Sequence, residues 1–284
     1  MKIVSLVDNH RLPHRNDLRT EPGLALCVFT QEQQILFDTG ISGIFLSNAR
    51  RLDVDVDHIS LAVLSRHHFD HGGGLKTFFE ANTQAKVYLR SSSTEALYLH
   101  LFGLIKRRIG LDETLFQQYP QRFTTIDQFS ELTPGVFILT KMEKRHPTPM
   151  GNRHLFIHSG GSRRIDDFEH ELILVVRENE GLVVFTGCSH HGILNMLEAV
   201  IEHFPDQKIR AVFGGFHLID RPLINNMAGS KEDIEELGRA ILTYPIEKVY
   251  TGHCTGTKAY RNLSEVMGTK LEYLAAGCQI EIKE

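Results

Sequence analysis

Short apolar runs, each closed by a polar or glycine-bearing turn, dominate the first part of the chain. KIVSLVD, LALCVFT and QILFD are rich in β-branched or aromatic residues, which predicts strands. ISLAVLS is another, and it leads directly into the segment SRHHFDHGGG, Ser65 to Gly74. Beyond it, GGGLKTFFEA predicts the start of a helix and KVYLR a strand, while Ser93 to Ile109 places apolar residues at roughly helical spacing. The stretch from residue 110 to 161 is less regular and is expected to contribute a cap or lid.

The rhythm returns at Glu171. ELILVVRE, a turn at NEG and LVVFT predict a hairpin. GILNMLEAVIEHF spaces its apolar residues as an amphipathic helix does, and IRAVFGG is a further strand. In SKEDIEELGRAIL, Ser230 is followed by Asp233 in the manner of a capping box, and IEKVYTG is the last strand. Strands first, then strand and helix in alternation, suggest two sheets with helices outside them. No Pro/Gly/Ser linker interrupts the pattern, so a single domain over residues 1–284 is expected.

Composition narrows the picture without deciding it. A hydrophobic content of 42% and a charged content of 23% are ordinary for a soluble globular protein. The formal charge of -4 gives no general attraction to nucleic acid or to anionic membranes, so neither is expected as a partner and any basic binding site must be local. The apolar run in MKIVSLVDNH meets Asp8 too early for a signal peptide or a membrane span, which points to the cytoplasm. Cys27, Cys188, Cys254 and Cys278 form no C-x-x-C pair, so neither a disulfide framework nor a zinc knuckle is indicated. The oddity is 16 His against no Trp.

Four turns gather these histidines, each after an apolar strand and among glycines that allow sharp turning. They are SRHHFDHGGG with His67, His68, Asp70 and His71; TGCSHHG with Cys188, His190 and His191; GGFHL with His217; and TGHCTG with His253 and Cys254. Imidazole and carboxylate together suit zinc, iron or manganese. A single His beside a Gly is commonly a turn residue, the bland reading for His191 or His217 taken alone. His68, Asp70 and His71 together reverse it, because so many titratable groups in one short loop desolvate one another badly without a cation. Cys188 and Cys254 read as small buried residues.

SRHHFDHGGGL, preceded by ILFDTG, resembles the metallo-β-lactamase superfamily, whose loop reads H-x-H-x-D-H after a strand. LSNARRL, HELILVV, GLVVFTGCSHHGILNM, FGGFHL and YTGHCTG extend the likeness to the branch of dihydropterin-ribofuranosylaminobenzene 5'-phosphate synthase-like metal-dependent hydrolases. The resemblance implies an αββα sandwich of mixed sheets flanked by helices, with Asp38 bracing the metal loop. It implies one or two divalent ions per chain, zinc foremost, and a small anionic substrate. By position, His68 serves a first metal, Asp70 and His71 a second that His253 completes, and His190 is a further ligand. Cys188 falls near the place of a bridging Asp, and His217 lies in or beside the site.

Arg66 departs from this pattern, standing where the family carries His. Arg cannot ligate a cation. Three arrangements follow: only the second site is filled; His67 substitutes as ligand; or Arg66 turns its planar fork on a phosphate or carboxylate of the substrate while His68, His190 and His217 hold a first metal. The expected activity is metal-dependent hydrolysis of a small phosphorylated or ester-like metabolite, with Asp70, Arg66 and His217 as catalytic groups. Alternatives are a synthase-like transfer, or a non-catalytic ligand-binding member with an impaired first site.

Overall fold

The computed structural model describes residues 1–91, 96–102, 105–178, 181–221 and 226–283. The N-terminal part comprises β1 (Lys2–Val7), β2 (Ala25–Phe29), β3 (Gln34–Phe37), α1 (Ile44–Arg51), β4 (Leu61–Val63), α2 (Phe69–Gly72), α3 (Leu75–Ala81) and β5 (Lys86–Leu89). The middle holds β6 (Ala96–Leu101), β7 (Ile105–Arg108), α4 (Thr114–Gln118), β8 (Phe123–Thr125), β9 (Ser130–Thr133), β10 (Val136–Leu139), β11 (Leu155–Ser159) and β12 (Ser162–Ile165). Next come β13 (Ile173–Glu178), β14 (Gly181–Thr186), α5 (Ile193–His203), β15 (Ile209–Phe213), β16 (Ile219–Arg221) and β17 (Asn226–Met227). The chain closes with α6 (Lys231–Ile241), β18 (Ile246–Thr251), α7 (Thr257–Met267), β19 (Leu271–Tyr273) and β20 (Gln279–Glu281).

Two seven-stranded mixed sheets carry the architecture, in the orders β20-β1-β2-β3-β4-β5-β8 and β19-β18-β15-β14-β13-β10-β9. Each is covered on both faces, which is why its strands read as nearly unbroken apolar runs. In β14, Val183 and Phe185 join Phe37 and Val63 in the core between the sheets, while Leu182 and Val184 pack against α5, α6 and α7. In β2, Leu26 and Val28 face that inner core, and Ala25 and Cys27 face α1 and α3. The layers are therefore αββα, as the resemblance implies. Among the described residues no helix is long and apolar enough to cross a membrane.

The expected capping box is present: Ser230 Oγ accepts from Asp233 N–H, and the Asp233 carboxylate accepts from Ser230 N–H. The hairpin is β13 and β14, paired from Ile173↔Thr186 to Glu178↔Gly181, with Asn179 and Glu180 of its turn outside the described residues. The helical expectation for Ser93 to Ile109 is overturned, since its described residues form β6 and β7. Leu97, Leu99 and Leu101 alternate with Tyr98 and His100, a period of two that the mixed spacing obscured. What selects the strand is a distant partner: β11 pairs with β6, and the two bury Leu97, Leu155 and Ile157 with Phe168. The resulting sheet has the order β12-β11-β6-β7. Within the irregular stretch, β8 extends the first large sheet, and β9 and β10 extend the second.

Candidate metal centre

The turns after β1, β3, β4, β14, β15 and β18 meet at one edge of the sandwich, at the carboxyl ends of their strands. Several residues there adopt left-handed backbone: Asp38 (φ 61°), Ser189 (φ 57°), His217 (φ 48°) and His253 (φ 47°). Such conformations cost free energy in non-glycine residues and cluster at functional sites. Here they aim side chains inward.

Asp38 organises the floor of the site. Its carboxylate accepts from Ser65 N–H and Ser65 Oγ, both at 2.7 Å, and from His71 Nδ1 at 2.5 Å. An ionised carboxylate only accepts, so His71 Nδ1 keeps its proton and Nε2 presents a lone pair to the cavity. His253 is held in the same way. Its N–H donates to Asp8 Oδ2 (2.7 Å) and its Nδ1 to Asn9 Oδ1 (2.8 Å), an oxygen identified by the Gly23 N–H that it also accepts.

The two prepared lone pairs face each other. His253 Nε2 lies 3.3 Å from His71 Nε2 and 3.2 Å from Asp70 Oδ2, which is 3.6 Å from His71 Nε2. Cys188 Sγ stands 3.5 Å from His71 Nε2. One ligand atom from each of Asp70, His71, Cys188 and His253 falls within 4.8 Å of the others. This many acceptors converging in a buried place repel one another unless a cation lies among them, so the donor set fits a divalent ion. Without one, a proton is drawn in: burial opposes charge on His253, but Cys188 and Asp70 outweigh it and push its pKa up to about 10.

The turn after β14 supplies Cys188 and His190 and is fixed by Glu171. That buried carboxylate accepts from the N–H groups of His190 and His191 and from His191 Nδ1, each at 2.9 Å. Asn152 Nδ2 donates to the His190 carbonyl, which orients its Oδ1 toward His190 Nδ1 (2.8 Å). His190 Nε2 is left as a buried acceptor without a partner, and neither nitrogen of His217 has one. The His190 and His217 rings are 4.1 Å apart, and with Cys188 they form a second cluster of ligand atoms. Burial, reinforced by Arg66, lowers the pKa of His217 to about 3 and keeps its ring neutral.

Arg66 lies near enough to this cluster for its charge to add to burial in lowering the pKa of His190 and His217, and it is only 1% exposed. Its Nε donates to His68 Nδ1 (3.0 Å) and its Nη2 to the Asp70 carboxylate (3.2 and 3.4 Å), while Nη1 has no partner. Because His68 Nδ1 accepts, the neutral ring carries its proton on Nε2, 3.8 Å from Asp166 Oδ2. Asp166 also accepts from His170 Nε2 at 3.1 Å, and His170 Nδ1 accepts from the His67 N–H at 3.3 Å. His68, Asp166 and His170 do gather ligand atoms, but neither imidazole keeps a free lone pair, so the group reads as a brace for Arg66. A dication about 4 Å from a guanidinium, at an effective dielectric of about 20, is repelled by roughly 8 kcal/mol. The Asp70 carboxylate offsets that charge at the Asp70–His71–His253 place, whereas the Cys188–His190–His217 place contains no carboxylate and is the poorer fit for an ion.

Of the residues singled out in the sequence, Arg66, His68, Asp70, His71, Cys188, His190, His217 and His253 come together. His67 does not: its Nε2 donates to the Arg90 carbonyl (3.0 Å) and its ring stacks on His170. His191 is committed to Glu171. Four arginines adjacent in sequence as two pairs lie on exposed strands away from this group, Arg107 over Phe69, Arg163 over Phe156, Arg108 with Glu113 and Arg164 with Asp167. Sequence reasoning passed over Asp8, Asn9, Asn152, Asp166 and Glu171. Only Asp8 carried a usable signal, an Asp closing an apolar strand as Asp38 does.

The chain belongs to the metallo-beta-lactamase superfamily, whose family model matches residues 19–253. A solved metal-dependent hydrolase of the beta-lactamase superfamily is 32% identical, each chain covered over 100% of its length, with a TM-score of 0.82. A 7,8-dihydropterin-6-methyl-4-(beta-D-ribofuranosyl)-aminobenzene-5'-phosphate synthase of Methanocaldococcus jannaschii is 28% identical, over 98% of this chain and 95% of its own. Zn(2+)-bound PqqB from Methylobacterium extorquens shares the fold at 12% identity and a TM-score of 0.60.

Proposed function

We propose that this protein is a metal-dependent hydrolase acting on a small phosphorylated or ester-like metabolite, with its ion held by Asp70, His71 and His253 and with Cys188 beside them. The carrying observation is the meeting of His71 Nε2 and His253 Nε2 at 3.3 Å, each with its other nitrogen committed to a fixed acceptor. The similarity to a metal-dependent hydrolase over the whole chain supports the reading. Zinc suits this nitrogen, oxygen and sulfur set best.

A bound divalent ion supplies a Lewis acid that lowers the pKa of a water molecule toward neutrality. The chain's own groups do the rest. Asp38 and Asn9 hold the two Nδ1 protons in place, so the imidazoles keep their tautomers through turnover. Asp70, with a fifth of its side chain exposed, marks the solvent side on which substrate and water enter. Arg66 offers fixed positive charge to oxyanion character developing on the substrate. Neutral His217, with both nitrogens unpartnered, offers one N–H donor and one lone pair to the substrate and is the third group of the reaction. The sheet of β6, β7, β11 and β12 lies over the metal loop through Phe69 and Phe168 and would be the cover within one domain, while β8, β9 and β10 of the segment 110–161 belong to the two large sheets.

A panel of phosphodiesters, phosphomonoesters, lactones and esters, run on metal-loaded and chelator-stripped protein, tests the proposal. Turnover that disappears on stripping and returns with zinc is expected; turnover indifferent to the ion would sink it. The similarity to the methanogen synthase favours a second reading, transfer to an acceptor other than water. Reaction in H₂¹⁸O separates the two, because hydrolysis places the label in product and transfer does not.

A further inference from the structure

The residues left over from the three-ligand set make a place with no carboxylate to offset Arg66, which disfavours a second ion there. Arg66 is tethered from two sides, through Nε to His68 and through Nη2 to Asp70, while the protonated His68 Nε2 lies 3.8 Å from the buried Asp166 carboxylate. The guanidinium is therefore built into the site. Its remaining amino group, Nη1, is buried and unpartnered, and so are His190 Nε2 and both nitrogens of His217. Gly187 backs this group closely: a Cβ there would stand 2.2 Å from Ser65 Oγ and 3.1 Å from Nη1. A buried cationic donor without a partner is costly, and what satisfies it best is a negatively charged oxygen.

We propose that the Arg66 guanidinium takes the place of one cation, so that the chain binds a single metal ion, and that Arg66 Nη1 with His217 receives a phosphoryl oxygen of the substrate. The planar fork suits phosphate better than a point charge would, and its positive charge is covalently fixed. One oxygen reaches Nη1 and a His217 N–H, while His190 Nε2, an acceptor, takes a hydrogen bond from a phosphate hydroxyl or a water. The inference rests on the reading that Asp70, His71 and His253 hold the ion, but it concerns the neighbouring place.

The test counts ions and measures anion binding. Wild type and Arg66→His are equilibrated with excess zinc, desalted and analysed for metal; about one ion per chain is expected in the wild type and about two in Arg66→His. Calorimetry with inorganic phosphate, and with acetate as the planar alternative, is run on wild type, Arg66→Met and His217→Gln. Phosphate should bind more tightly than acetate and lose tenfold or more in each variant, with circular dichroism as the check on folding. Two ions in the wild type, an unchanged count in Arg66→His, or phosphate affinity unaffected in a folded variant would overturn the proposal. Should the wild type hold no ion, the hydrolase reading fails, while the phosphate measurement still decides the role of Arg66. If Arg66→Met does not fold, the wild-type count and His217→Gln carry the test.

Discussion

Asp38→Asn changes one atom and removes the cause of a tautomer. The carboxylate of Asp38 accepts three hydrogen bonds in a fully buried place, and an amide can accept through its oxygen only. If that oxygen keeps the Ser65 N–H, the new NH₂ faces His71 Nδ1, which must give up its proton and accept. The proton then moves to Nε2, the atom that faces His253 and Asp70. Backbone strain is not the cause of any loss, because Asn tolerates the left-handed conformation seen at φ 61°. Losing an outer partner of this kind weakens metal binding about 10- to 100-fold, or about 1.4–2.7 kcal/mol. The metal-free protein should lose a further 2–3 kcal/mol or so from a charge-assisted hydrogen bond. Competition against a chromogenic chelator measures the first effect and urea unfolding of the stripped protein the second. An Asp38→Asn protein that is destabilised but binds zinc within twofold of wild type would refute the tautomer argument.

Further outcomes can be checked separately. Glu171→Gln leaves one acceptor oxygen where the carboxylate accepts three hydrogen bonds and sets an NH₂ against a donor of the turn carrying Cys188 and His190, which should cost about 3 kcal/mol in urea unfolding; a loss below about 1 kcal/mol would contradict that role. The His253 pKa is raised in the metal-free fold, from 6.5 to about 10, so its stabilising contribution is fully present below pH 6.5 and is lost as pH rises through 10. Stripped protein should accordingly lose stability between those values, and zinc uptake at pH 8 should release at least about one proton, read by calorimetry in buffers of different ionisation enthalpy. Gly214→Ala would set a Cβ 2.1 Å from the Thr186 carbonyl oxygen at φ +147°, and should be expressed in unfolded or insoluble form, judged by the soluble fraction.

The two-layer core was legible because strands buried on both faces read as continuous apolar runs, as β2 and β14 do. Helices α5 and α6 were legible for the complementary reason, a single apolar stripe and, for α6, a capping box. β6 was not: its alternating leucines need β11, from a later part of the chain, to become a strand. In the site, the residues that show themselves by local clustering, His68, Asp70 and His71, were readable in one loop. Asp166, Glu171 and Asn152 were not, since each acts by orienting a side chain or backbone far away in sequence and stands in no motif of its own. Arg66 was visible as an anomaly, but whether it turned inward could not be read from spacing. Its direction is set by hydrogen bonds to His68 and Asp70.

Anomalous diffraction from zinc-soaked crystals, recorded on both sides of the zinc absorption edge, tests the metal centre most directly. The expected result is one strong peak about 2.0–2.3 Å from His71 Nε2, His253 Nε2 and an Asp70 carboxylate oxygen, with Arg66 still paired to His68. A peak absent from that place, or lying among His68, Asp166 and His170 instead, would contradict it.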